Sequence, residues 1–207
     1  MISFMLLDSW KHMSAKVYGF IGLNGSGKHY RAEIVQKETG ADLIDFSDGV
    51  RDYTFSFLGW FPSAPQEYEE FKERSSILKL GGEWRVRNTG RDFLDNVGKK
   101  MRDFDPNFWA NYARDKALES ENDTIIFSSC RYDNELQAVA DYCHKKHGNF
   151  MNLTLIFCDY RSEKYDETPK EYQEFALMLR DKHGCKDGDD VTDLVLMLLS
   201  EKTKING

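Results

Sequence analysis

Seven residues, Gly22-Leu23-Asn24-Gly25-Ser26-Gly27-Lys28, constrain this chain more than any other stretch. They follow a short β-rich apolar run, Lys16–Ile21 (KVYGFI), and lead into a helix-compatible stretch from about Lys28 to Glu38, with Gly40 as its stop signal. The glycines let the backbone curl so that successive N–H groups point inward, and the start of the helix adds partial positive charge. A turn of that kind between strand and helix suits phosphate oxygens, with Lys28 as a mobile cation for them. The pattern G-x-x-x-x-G-K in this setting predicts a phosphate-binding loop made by Gly22, Asn24, Gly25, Ser26, Gly27, Lys28 and His29. His29 is the odd member, because Ser or Thr normally stands there to place a hydroxyl on Mg²⁺.

Around the loop, the pattern alternates strand and helix. Asp42–Phe46, Thr124–Ser128 and Asn152–Cys158 read as further strands. The last two carry their apolar residues in continuous runs, which suits strands covered on both faces. A helix is expected from about Asn134 to Lys146, closed by Gly148, and another over Glu171–His183. Asp193–Glu201 could be a last strand or a last helix, and its Leu and Met content favours a helix. This order predicts an α/β fold of the P-loop type, a three-layer α/β/α arrangement with a central parallel sheet. The interval from 49 to 122 is too long for a plain crossover and is rich in aromatics and arginine, so a helical insertion is expected there. One domain over 1–207 with that insertion fits the length better than two domains.

Composition removes several classes. With 28 Lys+Arg against 35 Asp+Glu, the net charge of −7 argues against a general nucleic-acid coat. No apolar stretch reaches the length of roughly 18–20 residues that a membrane span needs. Cys130, Cys143, Cys158 and Cys185 form no CxxC pair and read as reduced thiols of a cytoplasmic protein. Cys143, His144 and His147 are ligand-capable side chains, but no second ligand group stands nearby in sequence and their place at a helix end before Gly148 suits the dipole, so a metal site there is set aside. Neither G-x-S-x-G nor H-E-x-x-H is present, so a hydrolase triad or zinc protease has no support.

Arg85, Arg87, Arg91 and Arg102 fall within eighteen residues, and Arg51, Arg114 and Arg131 add to them. Guanidinium groups bind phosphate bidentately, so a second anion beside the loop would account for this excess in an acidic chain; surface pairs with Asp92, Asp95, Asp103 and Asp105 are the blander account.

The stretch Thr89–Trp109, TGRDFLDNVGKKMRDFDPNFW, resembles the R-x-L-L-Q-x-x-G…R…D-P…W block of phage-type deoxynucleoside monophosphate kinases. Ile125–Leu136, IIFSSCRYDNEL, is similar to that family's strand followed by D-x-R-[FY]-x-N-E. With GLNGSGKH ahead of them, three blocks stand in the family's order. The resemblance implies an adenylate-kinase-like fold with a helical monophosphate-binding insertion. It also implies transfer of the γ-phosphate of ATP, with Mg²⁺, to a deoxynucleoside 5′-monophosphate, in the host cytoplasm if the source is viral. Carried over residue by residue, Arg91, Arg102, Trp109, Arg131, Asn134 and Glu135 become substrate-binding positions, while Lys28 and Arg131 become catalytic ones. Trp109 is also a natural core residue. Asp159–Lys164 stands where related kinases carry a lid, so 159–170 is a candidate lid and Arg161 its catalytic finger, although a plain surface loop fits equally well.

Several positions depart from that pattern. Ser129 occupies the place of an Asp at the strand end, Asp95 that of a Gln, Lys99 that of a Thr, and His29-Tyr30 that of Asp-Thr. How the metal is held is therefore open, with Asp45 and Asp48 as oxygen donors to consider. The partners expected are small nucleotides rather than nucleic acid or membrane, and a homodimer is left open. Two other readings stand beside the kinase: a nucleotide-binding regulatory protein of the same fold with degraded chemistry, and a kinase for another small acceptor such as dephospho-coenzyme A.

Overall fold

The computed structural model describes residues 16–23, 25–73, 75–76, 88–159 and 174–205. Asn24, Arg85, Arg87, Arg161 and nearly all of the candidate lid lie outside them, as do residues 1–15. The chain divides into two compact units, one formed by 1–46 with 110–207 and the other by 47–109.

The first unit is built on four parallel strands, β1 Val17–Gly22, β2 Asp42–Asp45, β5 Ile125–Cys130 and β6 Leu153–Cys158, in the order β2-β5-β1-β6. Parallel neighbours require a crossover; α1 Lys28–Thr39 lies between β1 and β2 and α6 Asp133–His147 between β5 and β6, while α7 Glu174–His183 and α8 Thr192–Ile205 follow β6. All six residues of β1 and all six of β6 are buried. Alternate side chains go to opposite faces. Val17, Ile21, Phe127, Leu155 and Phe157 share one core with residues of α6, α7 and α8. Tyr18, Phe20, Ile126 and Ile156 share the other with Ala32 and Val35 of α1. The sheet is therefore apolar on both faces, as the continuous runs in β5 and β6 require. The fold is α/β with an all-parallel sheet, compatible with three layers.

Glycine punctuates this unit where the sequence places it. Gly40 and Gly148 close α1 and α6 in left-handed conformations, each N–H bonding back to the carbonyl four residues earlier. The ambiguous carboxy-terminal stretch is helical in α8.

The second unit holds α2 Asp48–Leu58, α3 Pro65–Glu73, the antiparallel pair β3 Ser75–Ser76 and β4 Asn88–Thr89, and α4 Gly90–Phe104. The first residues of α5 Phe108–Glu119 complete it. It ends at Trp109, short of 122, and Ala110, Ala113 and Ala117 of α5 belong to the core of the first unit. Alanine at that spacing gives α5 a flat face that packs closely. Aromatic residues fill the second unit: Phe55 meets Trp60, Phe61, Tyr68 and Phe71. The short strands had no sequence signal, being two residues each. α4 did have one. Thr89 Oγ1 accepts from the Asp92 N–H, and the Asp92 carboxylate accepts from the Thr89 N–H, a capping box written as T-G-R-D.

Candidate functional site

The register of the sheet brings four strand ends together. Gly22 lies beside Cys158, Ile21 beside Cys130, and Asp45 beside Ser128. In open α/β sheets, ligands are received at this carboxyl edge. The glycine-rich turn leaves β1 there and enters α1. Gly22 has no room for a side chain, since a Cβ would stand 2.2 Å from the Cys158 carbonyl oxygen and 2.7 Å from Ser26 Oγ. Gly27 is needed for another reason: it is the N-cap residue of α1, at φ 76°, which an L side chain rarely adopts.

Lys28, the first residue of α1, is only 5% exposed. Its ammonium turns back over the turn, donating to the Leu23 carbonyl, with Ser26 Oγ at 3.4 Å. Burial lowers its pKa from 10.5 to about 8, and the Arg131 guanidinium adds to the fall. An anion received beside Lys28 would counter both effects. Arg131 follows β5 at the same edge, and two cations at the end of a parallel sheet suit a polyanion.

The departures His29 and Ser129, read separately in the sequence, meet here. Gly19 pairs with Phe127 but Ile21 pairs with Cys130, so β5 carries one extra residue opposite β1. Such a bulge re-aims side chains. Ser129 sits in it at φ 62°, the one non-glycine residue with positive φ among the described residues. As a result Ser128 Oγ and Ser129 Oγ both donate to Asp45 Oδ2, each at 2.8 Å. His29 Nδ1 lies 3.2 Å from the same carboxylate oxygen and 3.3 Å from Ser128 Oγ. Its other nitrogen, Nε2, lies 3.4 Å from Glu33 one turn along α1. Ser128 and Glu33 are members of this cluster that motif reading missed. Ser128 falls in the expected strand and Glu33 in the expected helix, but only the bulge and the helical turn bring them to this cluster. Asp48 belongs to the second unit, where it pairs with Arg51. Among the described residues, no three His, Cys, Asp or Glu side chains gather closely enough to hold a metal by themselves.

Arg131 and its neighbours occupy the turn after β5. Glu135 is buried and accepts from the N–H groups of Arg131 at 2.7 Å and Tyr132 at 3.1 Å. Its role in the structure is to fix the backbone that presents Arg131. The Asn134 N–H is held by its neighbour's Asp133 Oδ1 at 2.9 Å. Arg131 Nε is buried with no hydrogen-bond partner among the described residues. Arg131 also lines a cavity of about 600 Å³ together with Tyr132, Asp133, Phe175, Met178 and Lys202.

A second support was not legible in the sequence. Asp187, in the turn before α8, binds Arg31 of α1 and accepts from the Asp159 N–H at 2.8 Å at the end of β6. It ties the helix behind the glycine-rich turn to the strand that abuts Gly22.

In the second unit, Arg91 is exposed, with Nη2 3.3 Å from Glu73 Oε1. Arg102 lies one helical turn beyond Gly98, its guanidinium 3.4 Å from where a Gly98 Cβ would stand. Trp109 is 2% exposed. Its indole N–H donates to the Gly98 carbonyl at 2.9 Å, and its ring meets Tyr53 and Phe108 edge-on, which is a packing role within this unit. The four cysteines are all buried and free. Burial raises the Cys143 thiol to about 11 and the Cys158 thiol to about 12, so neither is a nucleophile near neutral pH. Among the described residues, no helix is long and apolar enough to cross a membrane.

In comparison with known proteins, no family model matches the chain and no curated protein matches it.

Proposed function

We propose that this protein transfers the γ-phosphoryl group of ATP to a deoxynucleoside 5′-monophosphate. The observation that carries the reading is the buried Lys28 ammonium, folded against its own glycine-rich turn with Arg131 close by at the carboxyl edge of a parallel sheet. That arrangement, with the three sequence blocks between Gly22 and Leu136, supports a site for two phosphorylated ligands.

Phosphoryl transfer leaves little covalent work for the protein, and rate comes from positioning and charge neutralisation. In this reading the turn from Gly22 to Lys28 and the start of α1 hold the β and γ phosphates, and Lys28 moves from the Leu23 carbonyl to a phosphate oxygen. Arg131, held by Glu135, offsets charge on the transferring group, while Arg91, Arg102 and Arg161 are the candidates to hold acceptor and lid phosphates. Mg²⁺ would offset charge on the nucleotide phosphates. The Asp45 carboxylate and the Ser128 and Ser129 hydroxyls are hard oxygen donors that fit it, whereas the His29 nitrogen fits it poorly.

The same cluster bears on the rival reading, a regulatory nucleotide binder. His29 and Ser129 favour that rival when taken alone. Asp45 weakens it, because a carboxylate on β2 reaches the position that Ser129 leaves without one. The Lys28→Ala variant tests the proposal. We expect a folded protein whose ATP-to-monophosphate transfer has collapsed, and unchanged transfer would remove the glycine-rich turn from the mechanism.

A further inference from the structure

We propose that the cavity beside Arg131 is a second ligand site, taking a small organic anion with a flat apolar body, and that its occupant competes with the glycine-rich turn for Arg131. The binding claim stands on the cavity alone, whereas the competition rests on the phosphoryl-transfer reading.

The cavity measures about 600 Å³ and lies wholly within the first unit, between the turn after β5, one side of α7 and the end of α8. Small-molecule sites fall in the range of roughly 300–1,000 Å³ and combine an apolar wall with a few converging polar groups. Phe175 and Met178, one helical turn apart on α7, supply the wall.

The charges decide what the wall is paired with. Arg131, Lys182 and Lys202 line the cavity, as do Asp133, Glu174 and Asp181. Lys202 is committed to Asp133 at 2.6 Å, and Asp181 takes the Arg180 guanidinium at 2.6 Å. Two cations, Arg131 and Lys182, then face one acid, Glu174, and the lining keeps an excess of positive charge. Arg131 Nε is buried with no hydrogen-bond partner among the described residues. A buried donor left unmet destabilises the fold, and an anionic head group would satisfy it. A flat ring behind that head group would cover Phe175 and Met178.

Arg131 also acts on the glycine-rich turn. Burial first, and then the Arg131 charge, lowers the Lys28 pKa to about 8, so the two cations are within electrostatic reach. One guanidinium therefore serves two neighbourhoods. An anion held in the cavity draws its charge away from phosphates at the turn.

The test titrates the full chain by calorimetry with naphthyl phosphate, naphthoate and the neutral naphthylmethanol. We expect one anion bound per chain, about tenfold or more tighter than the alcohol. Met178→Trp, which fills the cavity, should abolish binding. Lys182→Glu, an exposed change that keeps the test should Met178→Trp not fold, should weaken both anions about tenfold. Phe57→Ser, at an exposed aromatic of the second unit, should leave binding unchanged. The tighter anion identifies the head group as phosphate or carboxylate, and in the transfer assay it should lower kcat of the parent but not of Met178→Trp. Alcohol binding as tight as the anions, anion binding untouched by both cavity substitutions, or no binding would overturn the site. Anion binding with uninhibited transfer would overturn the competition alone. Anion binding by a chain that transfers no phosphoryl group would overturn the phosphoryl-transfer reading and leave the site standing.

Discussion

Ser129 and Asp45 sit on the neighbouring strands β5 and β2, and the Ser129 hydroxyl donates to Asp45 Oδ2 at 2.8 Å from a backbone held left-handed at φ 62°. The extra residue in β5 makes that conformation necessary, and the bond gives the strained residue something to hold.

Substitutions at Ser129 should separate strain from bonding. Ser129→Ala keeps the left-handed penalty and loses the hydroxyl, whereas Ser129→Gly loses the hydroxyl and relieves the penalty. Denaturant unfolding should show Ser129→Gly more stable than Ser129→Ala by about 1 kcal/mol. Equal stabilities would mean that the left-handed backbone costs nothing there.

Lys28 carries a pH dependence with a definite sign. Its folded pKa of about 8 lies below the ordinary 10.5. Below pH 8 both states hold the proton and the cost of burying the ammonium is fully present. Between about 8 and 10.5 the unfolded chain holds a proton that the folded chain has released, so this group's contribution to stability rises with pH across that window. Lys28→Met should therefore be more stable than the parent at pH 7, by an amount on the order of 1–3 kcal/mol, with the gap closing toward pH 10. A Lys28→Met protein that is less stable at pH 7 would contradict the buried-charge account. Under the proposed function, ATP affinity of the parent should fall above about pH 8 as the ammonium is lost.

Glu135 offers a way to loosen Arg131 without touching it. Glu135→Ala leaves the N–H groups of Arg131 and Tyr132 without their acceptor and should cost about 1–3 kcal/mol. Transfer should fall at least about tenfold if Arg131 is a catalytic group. Glu135→Gln keeps an acceptor oxygen and should retain most of both. Loss of stability in Glu135→Ala with an unchanged kcat would take Arg131 out of the chemistry.

Two glycines make a matched pair. Gly22→Ala forces a Cβ within 2.2 Å of the Cys158 carbonyl oxygen, so β1 and β6 must part at the edge where the turn begins. Gly40 has nothing within 4 Å and only its φ of 69° to lose. Calorimetry should show nucleotide binding abolished in Gly22→Ala, and unchanged in Gly40→Ala at a stability cost of about 1 kcal/mol. Equal binding in both would detach the turn from any ligand.

The elements of the sheet were legible because each carries a signal in its own residues. The apolar run of Val17–Ile21 and the stops Gly40 and Gly148 act over a few positions. The polar cluster was not legible, because it depends on register. His29 and Ser129 looked like two losses of oxygen chemistry. They become one arrangement only once the β5 bulge turns both serines toward Asp45, 83 and 84 positions earlier in the chain. Asp187 was invisible for the same reason, since nothing local links it to Arg31, 156 positions away. Glu135 was readable as a residue, but its bonds to the backbone N–H groups of Arg131 and Tyr132 were not, because they depend on how the turn after β5 folds.

The most direct measurement is label transfer from γ-labelled ATP, in the presence of Mg²⁺ or Mn²⁺, to each of dAMP, dGMP, dCMP, dTMP and their ribo counterparts, with the Lys28→Ala protein as blank. The account predicts labelled diphosphate from one or a few deoxynucleotides, absent from the blank. Labelled product from none of them with either metal would contradict it.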